Sequence, residues 1–518
     1  MLRAGSWFDR RGTAVQLAAC LSLLALFTLA ASLFTLEADE ANILISAYNL
    51  FGLPVPQESA ATYPTTTSGG LYPLIHGLLG LLTTDVLAHR AVSLVLAALF
   101  VATTYRLLRQ LEVSPPLAMA GAAMSAATPG FILVGSAATA ELMSTLLLLA
   151  GLLVWTRAGR RAAVPASLAG LLFGLACAAR LNAIFILPAV ALYALDFEAG
   201  WRRKLGHPAL ACATALVVLV LAIQAYLLFA DPQGEGALGV VTGASLGKDA
   251  FILSRYLLVG NDWLPLWVIA AIGGMYFAAG RKVLARKDRQ FTALLLLGGV
   301  IGWLMWIFRA PIPHVRYLWP ALPCLWLGGI ITAATLIERW RSEAARTAFH
   351  LAALVACFYQ GMTGLFIVAQ GDSLVVNYQL NRTSPMLWKG PQWTAAADQR
   401  AMASMVKSLP AQADIYILNR NLGFPITYWS GRAVAPLADA VISDRPAYML
   451  ALPGNFAVWR PSPDITAWRE RHAREVWRQG NYAIFQIEPN APPAPLEMVQ
   501  VGDNDIYPER REAGEPHP

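Results

Sequence analysis

Three acids fall within four residues at Glu37, Asp39 and Glu40, in the string Leu-Glu-Ala-Asp-Glu-Ala-Asn, and a fourth, Glu141, stands in Ala-Thr-Ala-Glu-Leu. Carboxylates of this kind accept protons in general-base chemistry or orient hydroxyl groups. Basic and aromatic partners recur downstream: Arg180, the pair Arg255 and Tyr256, then Arg309, His314, Arg316 and Tyr317. Planar guanidinium groups stay charged and bind phosphate oxygens two at a time. A carboxylate base facing arginines that hold a phosphate is a workable transfer site. The plainer alternatives are solvated loops and helix caps for the acids, and snorkelling or ion pairing for the arginines. Collective placement on one side of a membrane favours the chemical reading.

That membrane is legible in the composition. Of 518 residues 57% are hydrophobic and only 14% charged, with a mean hydropathy of +0.50, against about 25% charged in soluble domains. A single soluble domain is excluded, and so is a disordered chain. Apolar runs of about 18 to 23 residues suffice to cross roughly 30 Å of hydrocarbon. Eleven are predicted, near 14–36, 87–105, 116–135, 139–156, 162–179, 181–197, 209–230, 264–280, 291–308, 318–337 and 348–370. The first exceeds the apolar core of a cleavable signal and is read as retained. Nineteen basic residues between Arg3 and Arg346 fall in alternate loops, while the opposite loops hold six basic and ten acidic ones. The basic side is cytoplasmic. The N-terminus is therefore expected inside, and the segment after Gln370 outside, in the periplasm of a bacterial inner (plasma) membrane. The net charge of +7 reflects this topology; nucleic acid is not an expected partner.

Charges of the outer loops sit at span ends and none at mid-span, unlike the midplane groups of ion-coupled carriers. The first outer loop, 37–86, is long enough to be functional. Ala41 to Leu50 reads as an interfacial helix, and Thr65 to Pro73 supplies hydroxyls and flexible backbone, with Ser68, Gly69 and Tyr72 framing a cleft. Cys20, Cys177, Cys212, Cys324 and Cys357 all fall inside predicted spans, without metal-site spacing, and read as packing residues. The sequence has no Gly-rich phosphate loop, no His-Glu-x-x-His and no Gly-x-Ser-x-Gly.

From Gly371 the charged fraction rises and apolar runs shorten to strand length, giving a separate soluble domain over 371–518. Strands are expected at Ala413 to Leu418, Ala447 to Leu452 and Tyr482 to Ile487, and helices at Thr394 to Leu409 and Thr466 to Arg478. The tail from about Pro489 is expected to lack order. Tyr428, Trp429, Trp459 and Trp468 read as core aromatics. The fold class is a polytopic α-helical membrane protein of about 11 spans with a C-terminal soluble α/β domain.

The order of motifs carries a resemblance. Asp39-Glu40-Ala41 after the first span, Gly69-Gly70-Leu71-Tyr72-Pro73 in the first loop and Ala88-His89-Arg90-Ala91 at span two are followed by Glu141, Ala179 to Ala183, and His314 to Pro323. Together, over residues 1 to about 340, they resemble the GT-C glycosyltransferases, in the branch of the protein O-mannosyltransferases and the lipid A aminoarabinose transferases. That resemblance implies transfer of a monosaccharide from a polyprenyl phosphate to a glycolipid, polysaccharide or protein acceptor at the outer membrane face, amid membrane lipids. Asp39 matches the first-loop aspartate of the family and is the expected general base, with Glu40 and Glu141 as further acidic candidates. Arg180, Arg255, Tyr256, His314, Arg316 and Tyr317 are the expected donor-phosphate and lipid contacts. The chain departs from the pattern in two places: Ser68-Gly69-Gly70 replaces a Lys-Pro-Pro element, and Glu141 replaces an aspartate. No cofactor is expected, and two carboxylates in separate loops are weak grounds for a divalent cation. The rival readings are a transporter or flippase of lipid-linked sugars, a polyprenyl-diphosphate-glycan ligase or polymerase, and a non-catalytic scaffold.

Overall fold

A computed structural model describes residues 21–53, 70–188, 201–230, 295–304, 319–339 and 395–498, apart from short gaps within these ranges, and a few single positions between 343 and 362. The expected spans at 264–280 and 348–370 lie outside the described residues, almost wholly in the second case. The chain divides into two compact units interleaved in sequence. One comprises Met1–Ala31, Pro64–Leu74 and Leu87–Leu365; the other comprises Ser32–Tyr63, Ile75–Val86 and Phe366–Pro518.

The first unit is helical. Its principal elements are α1 (Leu21–Ser32), the body of α4 (Val86–Gln110), α5 (Pro115–Ala126), α6 (Pro129–Ser136), α7 (Ala140–Val154), α8 (Ala163–Ala179), α9 (Trp201–Ala230) and α10 (Ala321–Arg339). Helices α2 (Ala38–Leu50) and α3 (Leu71–Gly80) lie between α1 and α4 in sequence. Among the described residues, Val86–Gln110 and Ala140–Arg157 are long and apolar enough to cross a membrane. The span expected at 116–135 is two helices, and Pro129 opens the second. Proline suits a first helical turn, where its missing N–H has no partner to lose.

Two kinds of packing hold this unit. An aromatic chain runs Phe27, Phe131, Trp319, Trp326, with ring centroids 5.5 Å apart at each step and Phe100 4.5 Å from Phe131. Small residues let α8 and α9 approach closely. A Cβ on Gly174 would stand 2.7 Å from the carbonyl oxygen of Ala215, and one on Gly170 would collide with that of Ala211. Such small-residue seams are how helices associate where lipid removes the hydrophobic drive. The outward faces are apolar: Leu87, Val95 and Leu99 on α4, Val164 and Leu168 on α8, and Val217, Val220 and Leu221 on α9 are exposed. That surface is matched to hydrocarbon rather than water. Gly170→Ala is expected to destabilise the fold by about 1–3 kcal/mol through overpacking. Gly206→Ala, with open space around the new methyl, is expected to be neutral or to gain up to about 1 kcal/mol in helix propensity. Paired melting temperatures in detergent check both.

The second unit is built on a five-stranded mixed sheet of order β2-β1-β3-β6-β5. Its strands are β1 (Asp414–Ile417), β2 (Ala435–Pro436), β3 (Ala447–Ala451), β5 (Ala473–Gln479) and β6 (Tyr482–Ile487). β1 pairs in parallel with β2 and β3, and β6 runs antiparallel to β3 and β5. Ile415, Ile417, Leu450 and Ile484 share one core with α11 (Ala395–Ser408) and α12 (Arg420–Ser430). Tyr416, Met449, Phe485 and Ile487 share the other with α13 (Pro463–His472). Covered faces on both sides explain why these strands read as continuous apolar runs.

Two expectations fail here. The helix foreseen over Thr466 to Arg478 ends at His472, and Ala473–Gln479 is the edge strand β5, with a register irregularity between Glu475 and Trp477. Pairing with β6 wins over helical propensity. The tail foreseen as unordered from Pro489 is structured as far as Met498: Leu496–Met498 forms β7 against β4 (Trp459–Pro461), and Trp468 Nε1 donates to the Pro492 carbonyl at 2.9 Å.

Candidate active site

In the helical unit the site is built on the turns that open α7 and follow α8. Thr139 caps α7 in extended conformation, and Glu141 sits in the first turn. Arg180 follows α8 in extended conformation (φ −154°, ψ 118°) and leads into a 3₁₀ turn, Leu181–Phe185. Arg180 Nη1 meets Glu141 Oε1 at 3.2 Å, with the side chains 7% and 2% exposed. Among the described residues Glu141 Oε2 and Thr139 Oγ1 are buried without a hydrogen-bond partner. A carboxylate with one oxygen neutralised and the other open is arranged to receive a donor from elsewhere, because leaving it unmet is costly. Ser144 Oγ donates to the Ala176 carbonyl at 2.8 Å and so ties α7 to α8 beside the pair.

Tyr72 is wholly buried, with its hydroxyl 3.2 Å from Ser93 Oγ, and Ser93 donates to the Ala137 carbonyl at 2.7 Å. The expected cleft residue thus packs inside its unit. Arg90 is also buried and donates to the Ala31 carbonyl at 2.7 Å.

In the sheet unit, Asp39 is the second residue of α2, and Glu40 is fully buried. Two devices fix this helix. The Gln399 amide accepts from the Leu36 N–H at 2.9 Å and donates to the Leu36 carbonyl at 3.1 Å. At the other end Tyr428 donates to the Thr84 carbonyl at 2.7 Å, and the Tyr48 hydroxyl bonds the Tyr428 oxygen at 2.9 Å. Between them Leu36, Ala41, Leu44 and Ile45 pack with Val86 and Phe424.

Burial pushes both phenols above their ordinary value, and for Tyr428 the bond to Tyr48 and the charges of Glu40 and Asp85 add to it. The unfolded phenols lose protons near pH 10, while the folded ones retain them. Stability is therefore expected to decline as pH climbs from about 10 toward the raised folded values. Tyr428→Phe should shrink that decline, read as melting temperature against pH with phenolate absorbance.

Of the residues expected from sequence, the structure brings Glu141 and Arg180 together and places Asp39, Glu40 and Tyr72 as above. Arg255, Tyr256, His314, Arg316, Tyr317, Ser68 and Gly69 lie outside the described residues. The reading from sequence missed Gln399, Tyr48 and Thr139.

A family model described as dolichyl-phosphate-mannose-protein mannosyltransferase matches residues 72–226, the stretch carrying Tyr72, Glu141 and Arg180. ArnT from Cupriavidus metallidurans, in its crystal structure bound to undecaprenyl phosphate, superposes with a TM-score of 0.57 at 14% identity, over 92% of this chain and 97% of that one. Its apo structure gives 0.58 at 14% identity, over 92% and 98%. The chain shares the fold of these two structures, and over residues 72–226 it is similar to that mannosyltransferase family. No curated protein sequence matches it.

Proposed function

We propose that this protein is a membrane glycosyltransferase of the GT-C type that moves a monosaccharide from a polyprenyl phosphate to an acceptor hydroxyl on a glycolipid, polysaccharide or protein, with inversion, at the outer face of a bacterial inner membrane. The carrying observation is the buried Glu141 carboxylate, held by Arg180 through one oxygen and, among the described residues, without a hydrogen-bond partner at the other. A sugar or acceptor hydroxyl supplies the donor that Oε2 lacks, which gives Glu141 a binding and orienting role. The Cupriavidus metallidurans structure supports the donor class, since that protein was crystallised with a polyprenyl phosphate.

In the step itself the acceptor oxygen attacks the anomeric carbon and the bond from that carbon to the phosphate oxygen breaks. The electron pair leaves with the polyprenyl phosphate. Asp39 takes the hydroxyl proton as the new glycosidic bond forms. The leaving phosphate needs cations more than protons, and Arg255, Arg316 and His314 are assigned to it. Glu40 is buried beside Tyr428, which favours Asp39 over its neighbour as the base.

Incubating the purified protein with a tritiated polyprenyl-phosphate sugar pool and membrane extract tests the reading. Free polyprenyl phosphate should appear in step with labelled acceptor. Movement of label across a vesicle membrane without release would point to a flippase, and release only from diphosphate-linked glycans to a ligase.

A further inference from the structure

We propose that Gln399 is a positioning residue: its side-chain amide, delivered by α11, clasps both backbone groups of Leu36 and so sets the pose of the turn that carries Asp39. The inference rests on the reading of Asp39 as base. It extends that reading to a segment with no assigned role.

A primary amide offers a donor and an acceptor in one plane, and so can serve the N–H and C=O of a single residue at once. Gln399 satisfies Leu36 in this way from 363 positions downstream. Leu36 is buried, so neither of its backbone groups can turn to water instead. It lies three residues before Asp39, and α2 begins at Ala38. Further constraints on α2 come from the C-terminal segment: Phe424 and Trp429 on its apolar face, and Tyr428 bonded to Tyr48. Gln399 is itself seated, because the adjacent Asp398 accepts a hydrogen bond from Gln479 Nε2 at 2.8 Å and anchors α11 to β5. Within the sheet unit the C-terminal segment thus grips the helix bearing the base at its entry and near its exit. A general base must lie within hydrogen-bond reach of the proton it removes, and a displacement of about 1 Å can cost about a hundredfold in rate.

Two variants test the clasp. Gln399→Leu keeps the bulk and removes both bonds. Gln399→Glu keeps the acceptor at neutral pH but faces the Leu36 carbonyl with a carboxylate; when protonated it regains a donor and matches glutamine. Turnover is read as polyprenyl phosphate released from the tritiated sugar pool, alongside amide exchange over residues 36–40 and the melting temperature. Gln399→Leu should lower kcat by about 10- to 100-fold with the apparent donor KM little changed and exchange at Leu36 accelerated. The kcat of Gln399→Glu, as a ratio to wild type, should rise as pH falls.

Wild-type kcat in Gln399→Leu despite accelerated exchange would overturn the proposal. So would a flat pH ratio for Gln399→Glu, or a loss of kcat that only follows the melting temperature. Failure of the Asp39 reading looks different: Asp39→Asn would turn over normally while Gln399→Leu remained impaired, and the clasp would then serve another residue of the same turn.

Discussion

Asp39→Asn is expected to lower turnover on a polyprenyl-phosphate sugar by about a hundred- to ten-thousand-fold, the range that general-base assistance supplies, with the melting temperature close to wild type. The substitution keeps the size and polarity of a residue in the first turn of α2 and removes only the capacity to take a proton. Glu40→Gln is the informative companion. Glu40 is fully buried, and its charge helps hold the proton on Tyr428, so its loss should register in stability before it registers in kcat. Initial rates at saturating donor, beside thermal unfolding in detergent, separate the two acids. A wild-type rate in Asp39→Asn would remove the base assignment.

What the sequence reveals of this molecule follows from how each contact is made. Long apolar runs announce themselves, because crossing hydrocarbon demands about twenty such residues. Val86–Gln110, Ala163–Ala179 and Ala321–Arg339 accordingly lie close to their expected spans. Helix α3 was hidden for the opposite reason: ten residues beginning Leu-Tyr-Pro are too few to signal a span and too apolar to signal a loop. The charged stretch Ala473–Gln479 fits a helix as well as an edge strand until β6 is there to pair with it. In the site, acids and arginines stood out by type, and that exposed Asp39, Glu141 and Arg180. Their partners did not. Gln399 acts on a backbone, and every residue has one, so nothing marks Leu36 as its target. By sequence Tyr428 reads as a core aromatic, yet its hydroxyl ties α2 to the Thr84 carbonyl; ring and hydroxyl serve different contacts, and only the ring is suggested by composition.

The ion pair in the helical unit offers a cleaner separation of structure from chemistry. Arg180→Met should destabilise the protein by about 3–5 kcal/mol, because it strands a buried carboxylate without its counter-charge. The partner is Glu141, 2% exposed and 3.2 Å from the guanidinium. Replacing both residues, Arg180→Met with Glu141→Leu, removes the stranded charge along with the pair. Apolar substitutes for a buried ion pair are often neutral or better, so the double variant should recover most of the lost melting temperature. Turnover should not recover, since the open Oε2 that is assigned to a substrate hydroxyl is gone. A pair that served only to join α7 to the turn after α8 would behave otherwise: the restored fold would bring restored turnover. The divergence of stability and rate in the double variant is therefore the decisive reading, and it needs no knowledge of which sugar is carried. Glu141→Gln completes the cycle by keeping an oxygen for Arg180 while discharging the side chain. Its expected signature is a fall in kcat larger than its shift in melting temperature.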